Sequence, residues 1–309
     1  MPTAMTQQTT SSADRRSAAL PHRAPDLPAV VGPWQLVEPL HSGHLSAAFL
    51  ARPTGSDNPQ CHYVVKLLAT EFVHDAQACQ AMRQEAYVGR KVSHPHLISV
   101  LDANIRTRPY FITMPRLPGQ TLRQLLAAQR NLPPSTAFWI VRQVADALIA
   151  LHDFGWLHGD VKPENILVAP DGHATLLDLG FARCIDQEGS AVDRQTMGTF
   201  NYIAPETVTS SLGSDGRSDI YSLGATLYEA LSGRLPLTGR TLAEVASQHR
   251  QTRPTCIRSL LPQLPKAAAS LVHRMLAKHP LRRPQTAREL VHRLVALEIE
   301  TFADCRVAG

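Results

Sequence analysis

His158-Gly159-Asp160-Val161-Lys162-Pro163-Glu164-Asn165 is the stretch on which the reading of this 309-residue chain turns, and Asp178-Leu179-Gly180 completes it. A carboxylate such as Asp160 can accept a proton from an attacking hydroxyl. Asn165, five residues on, can bind a metal ion through its carbonyl oxygen. Lys162 can neutralise charge on a group in transit. Between Asn165 and Asp178 lie two apolar or β-branched clusters split by Asp171-Gly172, the pattern of a hairpin. Such a hairpin carries Asp178 back to face Asn165 as a second metal ligand.

Working outward, Lys66 lies at the end of a β-branched strand (residues 63–68), and Glu85 lies on the helix predicted next (residues 75–92). A Lys–Glu pair there would hold the lysine in place, with an attraction of about 4 kcal/mol at ~4 Å and an effective dielectric near 20. Phosphoryl transfer needs metal ions on the phosphates, a cation on their oxygens and a group that orients the attacking hydroxyl. Lys66, Glu85, Asp160, Lys162, Asn165 and Asp178 supply residue types for each of these.

The ordered set resembles the eukaryotic-type Ser/Thr protein kinases, including their many bacterial members, over residues 34–297. Lys66 is similar to the β3 lysine of that family and Glu85 to its helix glutamate. His94-Pro95, the triplet His158-Gly159-Asp160, Asn165 and Asp178-Leu179-Gly180 follow in order. Gly198-Thr199, Ala204-Pro205-Glu206, Asp219 and Arg283 complete the match. The resemblance implies an α+β, two-lobed protein-kinase fold. Its small lobe is a sheet with one helix (residues 31–114), and its larger lobe is helical (residues 115–300).

It also implies transfer of the γ-phosphoryl group of ATP to Ser/Thr hydroxyls of protein substrates, with Mg²⁺ or Mn²⁺ held by Asn165 and Asp178. Asp160 would be the catalytic base, Lys162 and Thr199 would act beside it, and Lys66 would hold phosphates while Glu85 holds Lys66. Leu40, Gly43, Ala48, Val64 and Leu167 would meet the nucleotide. Met114 would be the gatekeeper, with the Pro115 carbonyl accepting from adenine and the Leu117 N–H donating to it.

Four departures qualify the resemblance. Of the glycine-rich loop only Gly43 survives in the run His41 to Ala48, which predicts weakened ATP affinity; a dissociation constant in the low micromolar range would contradict this. Ala48 and Val64 exchange the sizes usual at their two positions, a volume-conserving swap. Gly159 replaces an arginine that in the family often pairs with an activation-segment phosphate. Activity should therefore depend little on phosphorylation of Thr196, and a loss above tenfold in Thr196→Ala would contradict it. Gly89 stands where the family has a bulky apolar residue, which predicts a looser helix. The alternatives are an ATP-binding pseudokinase scaffold, favoured by these departures, and a small-molecule kinase, favoured by His-Gly-Asp alone.

The rest of the chain fits this frame. Residues 1–30 are rich in Ser, Thr, Ala, Pro and Gln and read as a disordered tail. Residues 34–50, broken at Ser42-Gly43, together with 97–101 and 110–114, read as strands, and 53–59 as a turn. Val141, Val144, Ala145, Leu148 and Leu151 form an apolar helical stripe that Gly155 stops. Residues 218–232 read as a buried helix, and 242–249, 266–277 and 286–297 as further helices, leaving 301–309 as a terminal tail. Five scattered cysteines fit the reducing cytoplasm rather than a disulfide framework, and no apolar run approaches a membrane span. Net charge is +5, yet residues 250–294 hold ten Lys or Arg and one acid. That surface could attract an acidic partner. No aromatic residues interleave its charges, so nucleic acid is not expected.

Overall fold

The computed structural model describes residues 29–43, 45–185, 199–209, 214–239, 244, 247–248 and 251–307. Six strands form one antiparallel sheet: β1 (Val30–Val31), β2 (Trp34–Ser42), β3 (Ser46–Pro53), β4 (Tyr63–Leu68), β5 (Asp102–Asn104) and β6 (Phe111–Pro115). Their spatial order is β1-β2-β3-β4-β6-β5. Strand β4 alternates faces, as the period of two requires. Val65 and Leu67 join Val31, Phe49, Ala51 and Phe111 in a cluster on one face. Leu68 belongs to a second cluster, with Ile112 and Val100, that packs under helix α1 (Ala76–Lys91). Lys66, two residues before Leu68, shares that second face.

Helix α1 starts where Asp75 accepts a hydrogen bond from the Ala78 N–H at 2.8 Å. Its inward stripe is Ala78, Met82, Glu85, Ala86 and Gly89, all buried. A Cβ on Gly89 would lie 2.6 Å from Val100 Cγ2, and the Gly89 carbonyl accepts from the Val100 N–H at 2.9 Å. The missing side chain therefore admits the neighbouring segment at Val100 against the helix backbone. This close contact argues against the looser helix positioning expected from Gly89.

The larger lobe is built from α2 (Leu122–Gln129), α3 (Pro134–Asp153), α4 (Pro205–Thr209), α5 (Gly216–Ser232), α6 (Ile257–Leu260), α7 (Lys266–Met275) and α8 (Ala287–Val307). All five residues of the α3 stripe are fully buried, and Gly155 takes the left-handed conformation past the helix end at φ 83°. Every residue from Ser218 to Leu231 is buried, which makes α5 the central helix, packed on α3 and α7. Gly224 allows that packing, since a Cβ there would lie 2.6 Å from Met275 Cβ. Two small antiparallel ladders complete the lobe. One orders β10 (Ala174–Leu176), β9 (Ile166–Val168) and β7 (Gln120–Thr121); the other pairs β11 (Arg183–Cys184) with β8 (Trp156–Leu157). Among the described residues no helix is long and apolar enough to cross a membrane.

Several expectations need correction. Residues 97–101 are not a strand. Leu97 makes a single parallel bridge to Leu176, and the N–H groups of Ile98, Val100 and Leu101 bond to Leu176, Gly89 and Thr113 in three different elements. The strand begins one residue later, at Asp102. Lys66 lies inside β4 rather than at its end. Helix α8 continues to Val307, past the boundary expected at residue 300, with Leu290, Leu294 and Leu297 buried on one face. Arg283 is absent from the basic surface, being 1% exposed. On that segment Arg288 pairs with Asp153, and Arg293 and Arg274 with Glu289. Residues 1–28, His44, Thr196, Gly198 and most of 242–249 lie outside the described residues.

Candidate active site

Two local groups form first. In the small lobe the Lys66 ammonium lies 2.8 Å from Glu85 Oε2 and 3.0 Å from Asp178 Oδ1. Burial alone would lower the Lys66 pKa, but the charges of Asp178 and Glu85 outweigh it and the pKa rises, so the cation persists. Burial also raises Asp178, yet the Lys66 charge and hydrogen bond outweigh it and draw the carboxyl down to about 2. Asp178 is thus an ionised carboxylate at neutral pH. It takes the left-handed conformation at φ 60°, tolerable for Asp because its side chain bonds locally, here from the Gly180 N–H at 3.1 Å. At Glu85 burial wins over the Lys66 charge and pushes the pKa up to about 7.

In the large lobe Lys162 Nζ lies 2.8 Å from Asp160 Oδ2. Asn165 Nδ2 donates to the Asp160 carbonyl at 2.8 Å and to its carboxylate at 2.9 Å. This fixes the amide so that Asn165 Oδ1 is the acceptor end. The β9–β10 turn closes through Gly172, at φ 85°, and brings the chain back beside the loop. There the Leu177 N–H donates to the Asn165 carbonyl at 2.8 Å, and His158 Nε2 meets the Leu177 carbonyl at 2.9 Å. The Asp160 N–H donates to His158 Nδ1. His158 is therefore the Nε2–H tautomer, tying the Asp160 loop to the residue just before Asp178.

Asp219, fully buried on α5, accepts from the His158 and Gly159 N–H groups at 2.9 and 2.8 Å and contacts His152 Nε2 at 2.9 Å. Burial raises its pKa, but the bond and charge of His152 outweigh that and lower it. Gly159 adopts φ 77°, where a side chain would add strain. Arg283 donates to both oxygens of Glu206 at 2.6 and 2.8 Å and to three carbonyls, which secures the short helix α4.

The other expected nucleotide contacts fall on neighbouring elements. In the sheet Ala48 pairs opposite Lys66, and Val64 opposite Met114. Met114 packs against the cores of both lobes. Val64, Ala48, Pro115, Leu117 and Leu167 are half-buried, and Leu40 is exposed. Gly43 closes the β2–β3 tip, donating to the Ser46 carbonyl at 2.9 Å. Thr199 opens the short helical turn Thr199–Tyr202. One group escaped the sequence reading: Arg123 on α2 bonds Glu164, Glu229 and Tyr202 and so steadies the loop residue next to Asn165. Its partners are spread over the chain and leave no local signal.

Residues 34–295 match the protein kinase domain family. The chain belongs to that family. Among curated members, the kinase domain here is 27% identical over 261 residues to the serine/threonine-protein kinase PrkC of Bacillus subtilis, covering 84% of this chain and 40% of that protein. It is 32% identical over 269 residues to PknD of Mycobacterium tuberculosis, covering 86% and 40%. It is 31% identical over 281 residues to pkn2 of Myxococcus xanthus, covering 88% and 33%. The chain thus spans two fifths or less of the length of these relatives.

Proposed function

We propose that this kinase domain transfers the γ-phosphoryl group of ATP to Ser/Thr hydroxyls of protein substrates. The observation that carries the reading is the convergence of six groups from four separate segments. Lys66 is held between Glu85 and Asp178, Asp160 is held between Lys162 and Asn165, and His158 and Leu177 join the two halves. A scaffold without chemistry has no use for all of them, and the similar proteins named above carry the names of Ser/Thr kinases.

The donor set fits a hard divalent cation. It offers an ionised carboxylate at Asp178 and the amide oxygen of Asn165, and Mg²⁺ is commonly bound by one or two such oxygens together with substrate phosphates. When bound there, Mg²⁺ or Mn²⁺ would neutralise charge on the phosphates. Lys66 would bind phosphate oxygens, oriented by Glu85. Asp160 would orient the acceptor hydroxyl and receive its proton on the carboxylate. Lys162 would offset developing charge beside it. The nucleotide would sit between β3, β4, Met114–Leu117 and Leu167. The free thiols of Cys61, Cys79, Cys184 and Cys256 support a reducing, cytoplasmic setting.

The test is incubation of the full chain with labelled ATP, Mg²⁺ or Mn²⁺ and a generic basic protein. Label should appear on Ser or Thr and vanish in Asp160→Ala. Equal behaviour of Asp160→Ala and the parent would sink the reading.

A further inference from the structure

Helix α1 and the Asp160 loop belong to different lobes, so Glu85 and Asp160 keep register only if something joins their elements. The Tyr87 ring, two residues after Glu85, contacts the Trp156 ring at a centroid distance of 5.8 Å and an interplanar angle of 44°. Trp156 opens β8, two residues before His158. Within the β8–β11 ladder it pairs with Cys184, and Leu157 pairs with Arg183. β11 begins three residues after Gly180, the last residue of Asp178-Leu179-Gly180. The Trp156 ring therefore stands on the clasp that holds the Asp160 loop and the Asp178 segment together, and Tyr87 is where helix α1 touches that clasp.

Burial does not account for this contact. The inward stripe of α1 is complete without Tyr87, and Val88 and Val92 already anchor its last turn in the main core. Tyr87 remains 49% exposed. Its ring lies at the edge, on the side of the helix that faces β8. Ring pairs of this geometry are worth about 0.5–1.5 kcal/mol beyond their buried area.

We propose that Tyr87 and Trp156 are positioning residues for phosphoryl transfer, acting through Glu85 and its hold on Lys66. The proposal rests on the kinase reading above. Tyr87→Ala, Trp156→Ala, the double variant and Tyr87→Phe are made in the full chain. Each is assayed for Mg²⁺-ATP-dependent transfer to a Ser/Thr peptide, and Tyr87→Ala is also assayed in a Glu85→Gln background. Each alanine variant should lower kcat about two- to tenfold, with the peptide KM unchanged. The double variant should be no worse than either single one, and Tyr87→Phe should match the parent. In the Glu85→Gln background, Tyr87→Ala should have no further effect. Additive losses, or a full effect in the Glu85→Gln background, overturn the proposal.

Amide exchange is followed in the same proteins without nucleotide. It should quicken over residues 76–91 in Tyr87→Ala and stay unchanged over 216–232. Unchanged exchange over 76–91 overturns the proposal whatever the activity. Quickened exchange in a chain whose parent transfers no label counts against the kinase reading and leaves the bridging role of the two rings supported.

Discussion

Glu85→Gln separates what the Lys66 pair does for the fold from what it does for the site. Glu85 is 2% exposed, and its carboxylate lies 2.8 Å from Lys66. At an effective dielectric near 20 that attraction is about 6 kcal/mol. Burial nonetheless wins, raising the pKa from 4.5 to about 7. A folded-state pKa above the unfolded one means that the folded state holds the proton more tightly. The resulting stability is fully present below pH 4.5 and is lost as pH rises through 7. At 1.36 kcal/mol per pH unit the loss is about 3 kcal/mol. Glutamine has nearly the same shape and no charge to bury, so it escapes this loss, and Lys66 keeps Asp178 as its counter-ion. Melting of the parent and of Glu85→Gln is compared from pH 5 to 8.5, where all other titrations cancel in the difference. Relative to the parent, the variant should gain about 6–12 °C in Tm across that range. Its phosphoryl-transfer rate should nevertheless fall about tenfold to a hundredfold, the worth of one charged hydrogen bond that orients Lys66. A Tm difference that is flat with pH, or a variant more labile at pH 8.5, would refute the claim that burial outweighs Lys66 at this position.

Three further outcomes follow from the same packing. Gly89→Ala gains about 0.8–1 kcal/mol of helix propensity but drives a Cβ to 2.6 Å from the stiff Val100 side chain, an overpacking cost of about 1–3 kcal/mol. The net is a stability loss of about 1 kcal/mol, read by urea unfolding. Arg283→Met leaves Glu206 without its fully buried cation and should cost about 3–5 kcal/mol, visible as a large fall in Tm by calorimetry. Asp219→Asn turns one amide N–H₂ toward backbone donors and should cost about 1.5–3 kcal/mol. Because the folded pKa of Asp219 is depressed, its contribution is present above the unfolded pKa and lost in acid, so the gap to the parent should narrow as pH falls below the ordinary carboxylate range.

Strand β4, helix α1 and the α3 stripe were readable because pattern and punctuation agree within one segment. Val64, Val65 and Leu67 favour a strand, Asp75 caps α1, and Gly155 stops the chain after α3. The chemical groups were readable for a different reason: Lys66, Asp160, Asn165 and Asp178 are defined by residue type and order. Residues 97–101 were misread because an apolar run reveals burial and not bonding partners, and here three elements share its N–H groups. Gly89 was misread because a missing side chain does not say what fills its space. Val100 fills it, turning an apparent weakness into a close contact. Tyr87 and Arg123 left no signal, since their partners lie far along the chain. These cases share one cause. Which groups can move a phosphoryl group depends on side-chain chemistry, which each residue carries with it. Whether they stand in register depends on contacts between lobes. Here helix α1 is gripped on its inner face at Gly89, by Val100, and at its edge at Tyr87, by Trp156, four and two residues after Glu85. These two contacts, together with glycine at position 159, are the grounds for expecting Thr196→Ala to keep activity within tenfold of the parent.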